Sequence, residues 1–122
     1  MTTPRIRLGK WGEGMAGRFL QEKGYVLVAA NYRCRWGEMD IVAQEGEELV
    51  FVEVRTRRGV EFGTPEESVT AAKARKLVAT AQEFLQEHDL VHSDWRIDLI
   101  AIRLDGDQRV QDITHLRYAV QE

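Results

Sequence analysis

Two neighbouring apolar runs are interrupted by carboxylates at regular places. Gly37-Glu38-Met39-Asp40-Ile41-Val42 and Phe51-Val52-Glu53-Val54-Arg55-Thr56 both alternate as strands do, and only Ala43 to Val50 separates them. Gly46-Glu47 suits a two-residue type II′ turn, which predicts Glu45 opposite Glu48. Counting outward, Val42 faces Phe51, Asp40 faces Glu53 and Glu38 faces Arg55. Alternation then puts Glu38, Asp40, Glu53 and Arg55 on one face. Directly opposed residues have Cβ atoms ~4.5–5.5 Å apart. Two carboxylates so close repel, and an unpaired charge among apolar residues is costly. A divalent cation removes the repulsion, and all-oxygen donors suit Mg²⁺ or Mn²⁺. The prediction depends on register: a slip of one residue sets Asp40 against Val52 and undoes the pair.

Two more charged residues are predicted on buried helix faces. Glu13 stands at i, i+3, i+7 with Ala16 and Leu20, and Lys73 at i, i+4, i+8 with Val69 and Leu77; both spacings put the charge beside the apolar stripe. Other reactive types carry less. His88 and His92 are four apart but fall at a helix end, with no third ligand evident, and read as exposed histidines. His115 is isolated in a strand-like run and reads as structural. Cys34, the one cysteine, reads as a packing residue. Tyr32 and Trp36 suit base stacking or packing equally.

These residues must be held by seven elements. Trp11, Met15 and Phe19, with Ala16 and Leu20, give a helix over 9–23 that Gly24 ends. Strands are predicted over Tyr25–Ala30, Gly37–Gln44 and Leu49–Thr56. A helix is predicted from near Pro65 to about His88, with Pro65 in the first turn and Glu66 and Glu67 favouring its dipole. Strands over Trp95–Leu104 and Val110–Val120 flank the turn Asp105-Gly106-Asp107. The order αβββαββ predicts an α/β fold, a mixed sheet of about five strands with two main helices. Arg57 to Gly63 reads as a polar connecting loop with two glycines.

The 122 residues suit one domain over 1–122. One cysteine excludes an internal disulfide and a cysteine-rich zinc site. No run is long and apolar enough for a membrane span or a secretory signal, so the expected compartment is the cytoplasm and no membrane partner is expected. The net charge of −3 speaks against coating nucleic acid by bulk charge, but the charge is uneven. Residues 1–80 hold 13 Lys+Arg and 11 Asp+Glu; residues 81–122 hold 4 and 9. Arginines outnumber lysines 13 to 4, and the guanidinium fork suits phosphate.

Taken in order, Gly12-Glu13-x-x-Ala16, Asn31-Tyr32-Arg33-Cys34, Gly37-Glu38-Met39-Asp40-Ile41-Val42, Phe51-Val52-Glu53-Val54-Arg55-Thr56-Arg57, Val69-Thr70-x-x-Lys73 and Arg96-x-Asp98 resemble the YraN-like family of small bacterial proteins, labelled as endonucleases. The resemblance spans nearly the whole chain. It implies the restriction-endonuclease-like, or PD-(D/E)XK, superfamily with its three-layer core, similar in outline to archaeal Holliday-junction resolvases. By resemblance Asp40 is the metal-binding Asp, Glu53 the acid of the E-x-K element, and Glu13 a helix contribution to the metal site. Glu38, Lys73 and Asp98 match motif positions to which the resemblance gives no firm role. Arg55 stands where the superfamily has lysine. Arginine can stabilise charge but does not readily give up a proton, and Lys73 is the candidate replacement.

The expected function is a metal-dependent DNA phosphodiesterase. Asp40, Glu53 and Glu13 would hold Mg²⁺ or Mn²⁺, Arg55 and Lys73 would complete the catalytic set, and Arg33, Arg35, Arg57, Arg58, Arg75 and Lys76 would hold the DNA backbone. No base-reading motif is visible, which favours recognition of branched or non-canonical DNA. Two readings compete: a nucleic-acid-binding module of the same fold, impaired by Arg55, and a partner-binding protein, suggested by the acidic last third. The oligomeric state stays open between monomer and homodimer.

Overall fold

A computed structural model describes residues 4–58, 69–107 and 109–120. Seven elements follow in the expected order: α1 (Pro4–Glu22), β1 (Val26–Cys34), β2 (Gly37–Glu45), β3 (Glu48–Arg58), α2 (Ala71–Glu87), β4 (Trp95–Leu104) and β5 (Val110–Val120). The strands form one sheet in the order β1-β2-β3-β4-β5. Only β3 and β4 run parallel, and α2 makes the crossover between them. The other three neighbours are antiparallel.

Strand alternation splits the core in two. On one face Ala16 and Leu20 of α1 pack on Ile41, Ala43, Val50, Val52, Ile100 and Ile102. On the other, Leu77, Ala81, Phe84 and Leu85 of α2 pack on Val42, Phe51 and Ile97. Helix, sheet, helix is the three-layer arrangement the element order predicts. Phe51, Phe84 and Tyr32 meet edge to face, with centroids 5.1 and 5.6 Å apart.

Local chemistry sets the ends of the elements. Gly24, at φ 92, closes α1: its N–H donates to Gln21 O and that of Tyr25 to Leu20 O, which satisfies carbonyls the helix leaves open. Gly46, at φ 60, turns β2 into β3 between Glu45 and Glu48. Three boundaries differ from the sequence expectation by more than two residues. Helix α1 begins earlier, at Pro4. Strand β1 does not stop at Ala30 but runs on to Cys34, through Asn31 at φ 54. Helix α2 starts at Ala71 rather than near Pro65, because the Thr70 hydroxyl accepts the Lys73 N–H at 3.2 Å and caps it. Val69 therefore precedes the helix instead of marking its buried face. Pro65, Glu66, Glu67 and the Gly59–Gly63 part of the connecting loop lie outside the described residues.

Candidate active site

The β2–β3 ladder has the predicted register, from Glu45↔Glu48 through Val42↔Phe51 to Ile41↔Val52. One step further the regular pairing stops. The Val54 N–H donates to Asp40 Oδ2 at 2.7 Å, so a side chain replaces the strand as acceptor. Met39 and Val42, three apart, both pack on the α2 side, so the pleat slips one step between them. In β1 the slip is matched by Asn31, bracketed by the pairs Ala30↔Ile41 and Tyr32↔Met39. Its φ of 54 is a conformation asparagine tolerates better than most residues.

This kink replaces the flat four-residue face expected from alternation. Asp40 lies between two layers, bonded to Glu53 in β3 and to Glu13 in α1. Glu38 does not join Arg55; its carboxylate is exposed and pairs with Arg33 at 3.0 Å. Its charge is still felt at Glu13.

Glu53 is the most perturbed acid. Its side chain is 18% exposed. Burial, then its hydrogen bond to and repulsion from Asp40, push its pKa up to about 8, against the opposing pull of Arg55 and Lys73. Two carboxyl groups this close and this buried favour keeping a proton over ionising together. Arg55 Nη2 donates to Glu53 Oε2 at 3.1 Å, and Arg55 Nε is buried without an acceptor. Glu13 is also raised, by burial first and then by Asp40 and Glu38, with a hydrogen bond to Asn31 opposing. Lys73 is not on the buried helix face its spacing predicts: with Val69 outside the helix it is exposed in the first turn of α2, close enough to act on Glu53. Asp40, Glu53, Glu13, Arg55 and Lys73 are thus brought together. The three acids form a chain of contacts, and among the described residues no three His, Cys, Asp or Glu side chains converge as a preformed metal cage.

The basic residues divide. Arg35 stacks over Trp36 at 4.7 Å and reaches Glu83 at 3.5 Å, at the exposed tip of the β1–β2 hairpin. Arg57 and Arg58 end β3, and Arg75 and Lys76 are exposed on α2 one turn from Lys73.

Asp98 belongs elsewhere. It is fully buried on the α1 side of β4, where Arg96 Nε donates to it at 3.0 Å, His115 Nε2 at 2.8 Å and the Tyr118 N–H at 3.0 Å. Burial raises its pKa, but these donors outweigh burial and hold it below the usual carboxylate range. Arg96 goes on to Glu48 at 2.6 Å, Glu45 at 3.0 Å and Tyr25 Oη at 2.8 Å. His115 accepts from Lys23 through Nδ1 at 2.9 Å. The Arg96-x-Asp98 element is therefore a structural clamp joining β4 to β5 and to the β2–β3 turn, and His115 is structural as expected. His88 stacks on Phe84 at 4.1 Å, with Nδ1 2.9 Å from Phe84 O.

Sequence reasoning missed Asn31 and the Val54 amide. The available signal for Asn31 was an asparagine inside a strand-like run, a residue strands disfavour.

The chain matches Uncharacterised protein family UPF0102 over residues 12–102, and it belongs to that family. UPF0102 proteins of Roseiflexus castenholzii and Chloroflexus aurantiacus are 50% and 46% identical to it, each over 100% of this chain and 99% of the relative. One from Moorella thermoacetica is 43% identical over 98% of this chain and 99% of the relative. A solved structure of Pyrococcus furiosus SfsA aligns with 90% of this chain and 64% of that chain at 11% identity and a TM-score of 0.34, too low to carry an argument.

Proposed function

We propose that this protein is a divalent-metal-dependent DNA phosphodiesterase, an endonuclease of the restriction-endonuclease-like superfamily related in outline to archaeal junction resolvases. The observation that carries the reading is the Asp40–Glu53 pair, two carboxyl groups in contact with Arg55 and Lys73 beside them. The donor chemistry fits Mg²⁺ or Mn²⁺. Asp40 and Glu53 offer hard oxygen ligands, Glu13 is a third from α1, and the proton between the pair sits where a cation would satisfy the same charge. When bound, such an ion supplies a water of lowered pKa and polarises a phosphate oxygen.

The chain's own groups do the rest. The Val54 amide fixes Asp40, so that carboxylate is oriented in advance. Arg55 presents a permanent cation to the charge that develops on phosphorus, and its unsatisfied Nε is a donor in reserve. Lys73 offers an amine beside Arg55, whose guanidinium does not readily give up a proton. Arg33, Arg35, Arg57, Arg58, Arg75 and Lys76 hold the DNA backbone without reading bases, which favours branched or non-canonical DNA over a defined sequence. One domain acting in the cytoplasm meets these needs. No helix among the described residues is long and apolar enough to cross a membrane.

The experiment is cleavage of four-way, flapped, duplex and single-stranded DNA in Mg²⁺ or Mn²⁺. The reading expects wild-type cleavage, strongest on a branched substrate, that Asp40→Asn and Glu53→Gln abolish. A second reading, a DNA-binding module of the same fold with impaired chemistry, is favoured by Arg55 and by the open chain of acids. It expects salt-sensitive binding that survives Asp40→Asn, with cleavage appearing only in Arg55→Lys.

A further inference from the structure

Beside the acid cluster a groove of about 650 Å³ runs between α1 and the outer strand β1. Gly14 and Gly17 of α1 line it on one side and Leu27, Val28, Ala29 and Ala30 of β1 on the other. Leu27 is 38% and Val28 48% exposed, high for apolar strand residues. Lys10 and Arg18 stand on the rim. Eight residues apart, they span ~12 Å along the helix. Neither has an acidic partner among the described residues, whereas Arg33, Arg35, Arg96, Arg103 and Arg117 are all paired. One end of the groove is Glu13 with Asn31, the residues bonded to each other next to Asp40.

We infer that this groove holds a single nucleic-acid strand and leads it to Asp40 and Glu53. The inference rests on the nuclease reading and names the form of DNA it engages. Lys10 and Arg18 pair with successive parts of the phosphodiester backbone, and bases lie on Leu27 and Val28. Gly14 gives the strand room: a Cβ there would meet nothing within 4 Å, whereas one at Gly17 would meet Leu27 Cδ1 at 3.3 Å. Because the cations lie along one rim only, the groove is suited to one strand, as at a flap or an opened branch.

The test uses the full chain, a labelled oligothymidylate and a blunt duplex of equal length, with affinity read by fluorescence anisotropy across a salt series. Lys10→Gln with Arg18→Gln removes the rim charge. Gly14→Leu fills the groove without touching charge, and leucine is the better helix former, so loss of fold does not confound it. The expected result is a weakening of single-strand binding of roughly ten-fold or more by each, with duplex binding little changed and the single-strand salt slope of the double variant lowered by about 1.4. Equal loss on both probes, or no loss on either, overturns the groove assignment while metal-dependent cleavage stands. If Gly14→Leu instead splits a dimer in size-exclusion chromatography, the groove belongs to a second copy and the inference falls. No binding and no cleavage of any DNA by wild type overturns the inference and the nuclease reading together.

Discussion

Replacing Glu53 by Gln should change how stability depends on pH. Burial, then the neighbouring Asp40, push the folded Glu53 carboxyl up to about 8, from the 4.5 of an ordinary glutamate in the unfolded chain. Below the unfolded value both states bind the proton and nothing is lost. Between about 4.5 and 8 the unfolded state has released it and the folded state has not, so unfolding becomes easier as pH rises. In metal-free buffer the loss accumulates to on the order of 4 kcal/mol by pH 8, a large part of the ~5–15 kcal/mol that holds a domain together. At roughly 4 °C per kcal/mol for a chain of this size, the melting temperature should fall by about 15 °C from pH 5 to pH 8. Glutamine keeps a hydrogen-bond donor toward Asp40 and does not titrate, so Glu53→Gln should lose much less over the same range. Thermal melts followed by circular dichroism in EDTA, wild type beside Glu53→Gln, give the comparison. Equal pH dependence in the two proteins, or wild-type stability that rises toward pH 8 relative to the variant, would refute the shared proton.

Three further outcomes follow from the packing. Asp98→Ala takes one of three carboxylates from Arg96 and the carboxylate acceptor from His115 and should cost about 1–3 kcal/mol by urea denaturation, while joint replacement of Arg96 and Asp98 by Met and Leu should recover much of it. Gly12→Ala puts a methyl group into Thr56 Oγ1 and should destabilise by about 1–3 kcal/mol; Thr56→Ala in the same chain should restore most of that in the same assay. Thr70→Ala removes the α2 cap and should cost about 1 kcal/mol in thermal melts.

The order of elements could be read from the sequence because each rests on a local signal: the helical stripe through Ala16 and Leu20, the alternation of Leu49 to Thr56, glycine after α1 and at the β2–β3 turn. The turn also carried the register, and with it the meeting of Asp40 and Glu53. What alternation could not supply was the kink. A period of two carried through Asp40 keeps Glu38 on the same face, whereas the left-handed Asn31 on the neighbouring strand shifts the pleat, turns Asp40 toward Glu13 and leaves Glu38 to Arg33. That shift is a property of two paired strands and has no signal within either alone. The start of α2 was placed too early because Pro65 and a capping threonine both mark helix beginnings, and the Thr70 hydroxyl bond decides between them. Asp98 matched a motif position, but only the fold brings Arg96, His115 and Tyr118 around it and shows it to be a clamp.

The most direct question to put to the protein is whether Asp40 and Glu53 form a cation site. Titration calorimetry of Mn²⁺ into the metal-free protein at pH 7, repeated in two buffers of different ionisation enthalpy, reads binding and proton release together. Mn²⁺ is expected to bind with release of about one proton, Asp40→Asn to abolish binding, and Glu53→Gln to bind weakly without release. No Mn²⁺ binding, or binding that Asp40→Asn and Glu53→Gln leave unchanged, would contradict such a site.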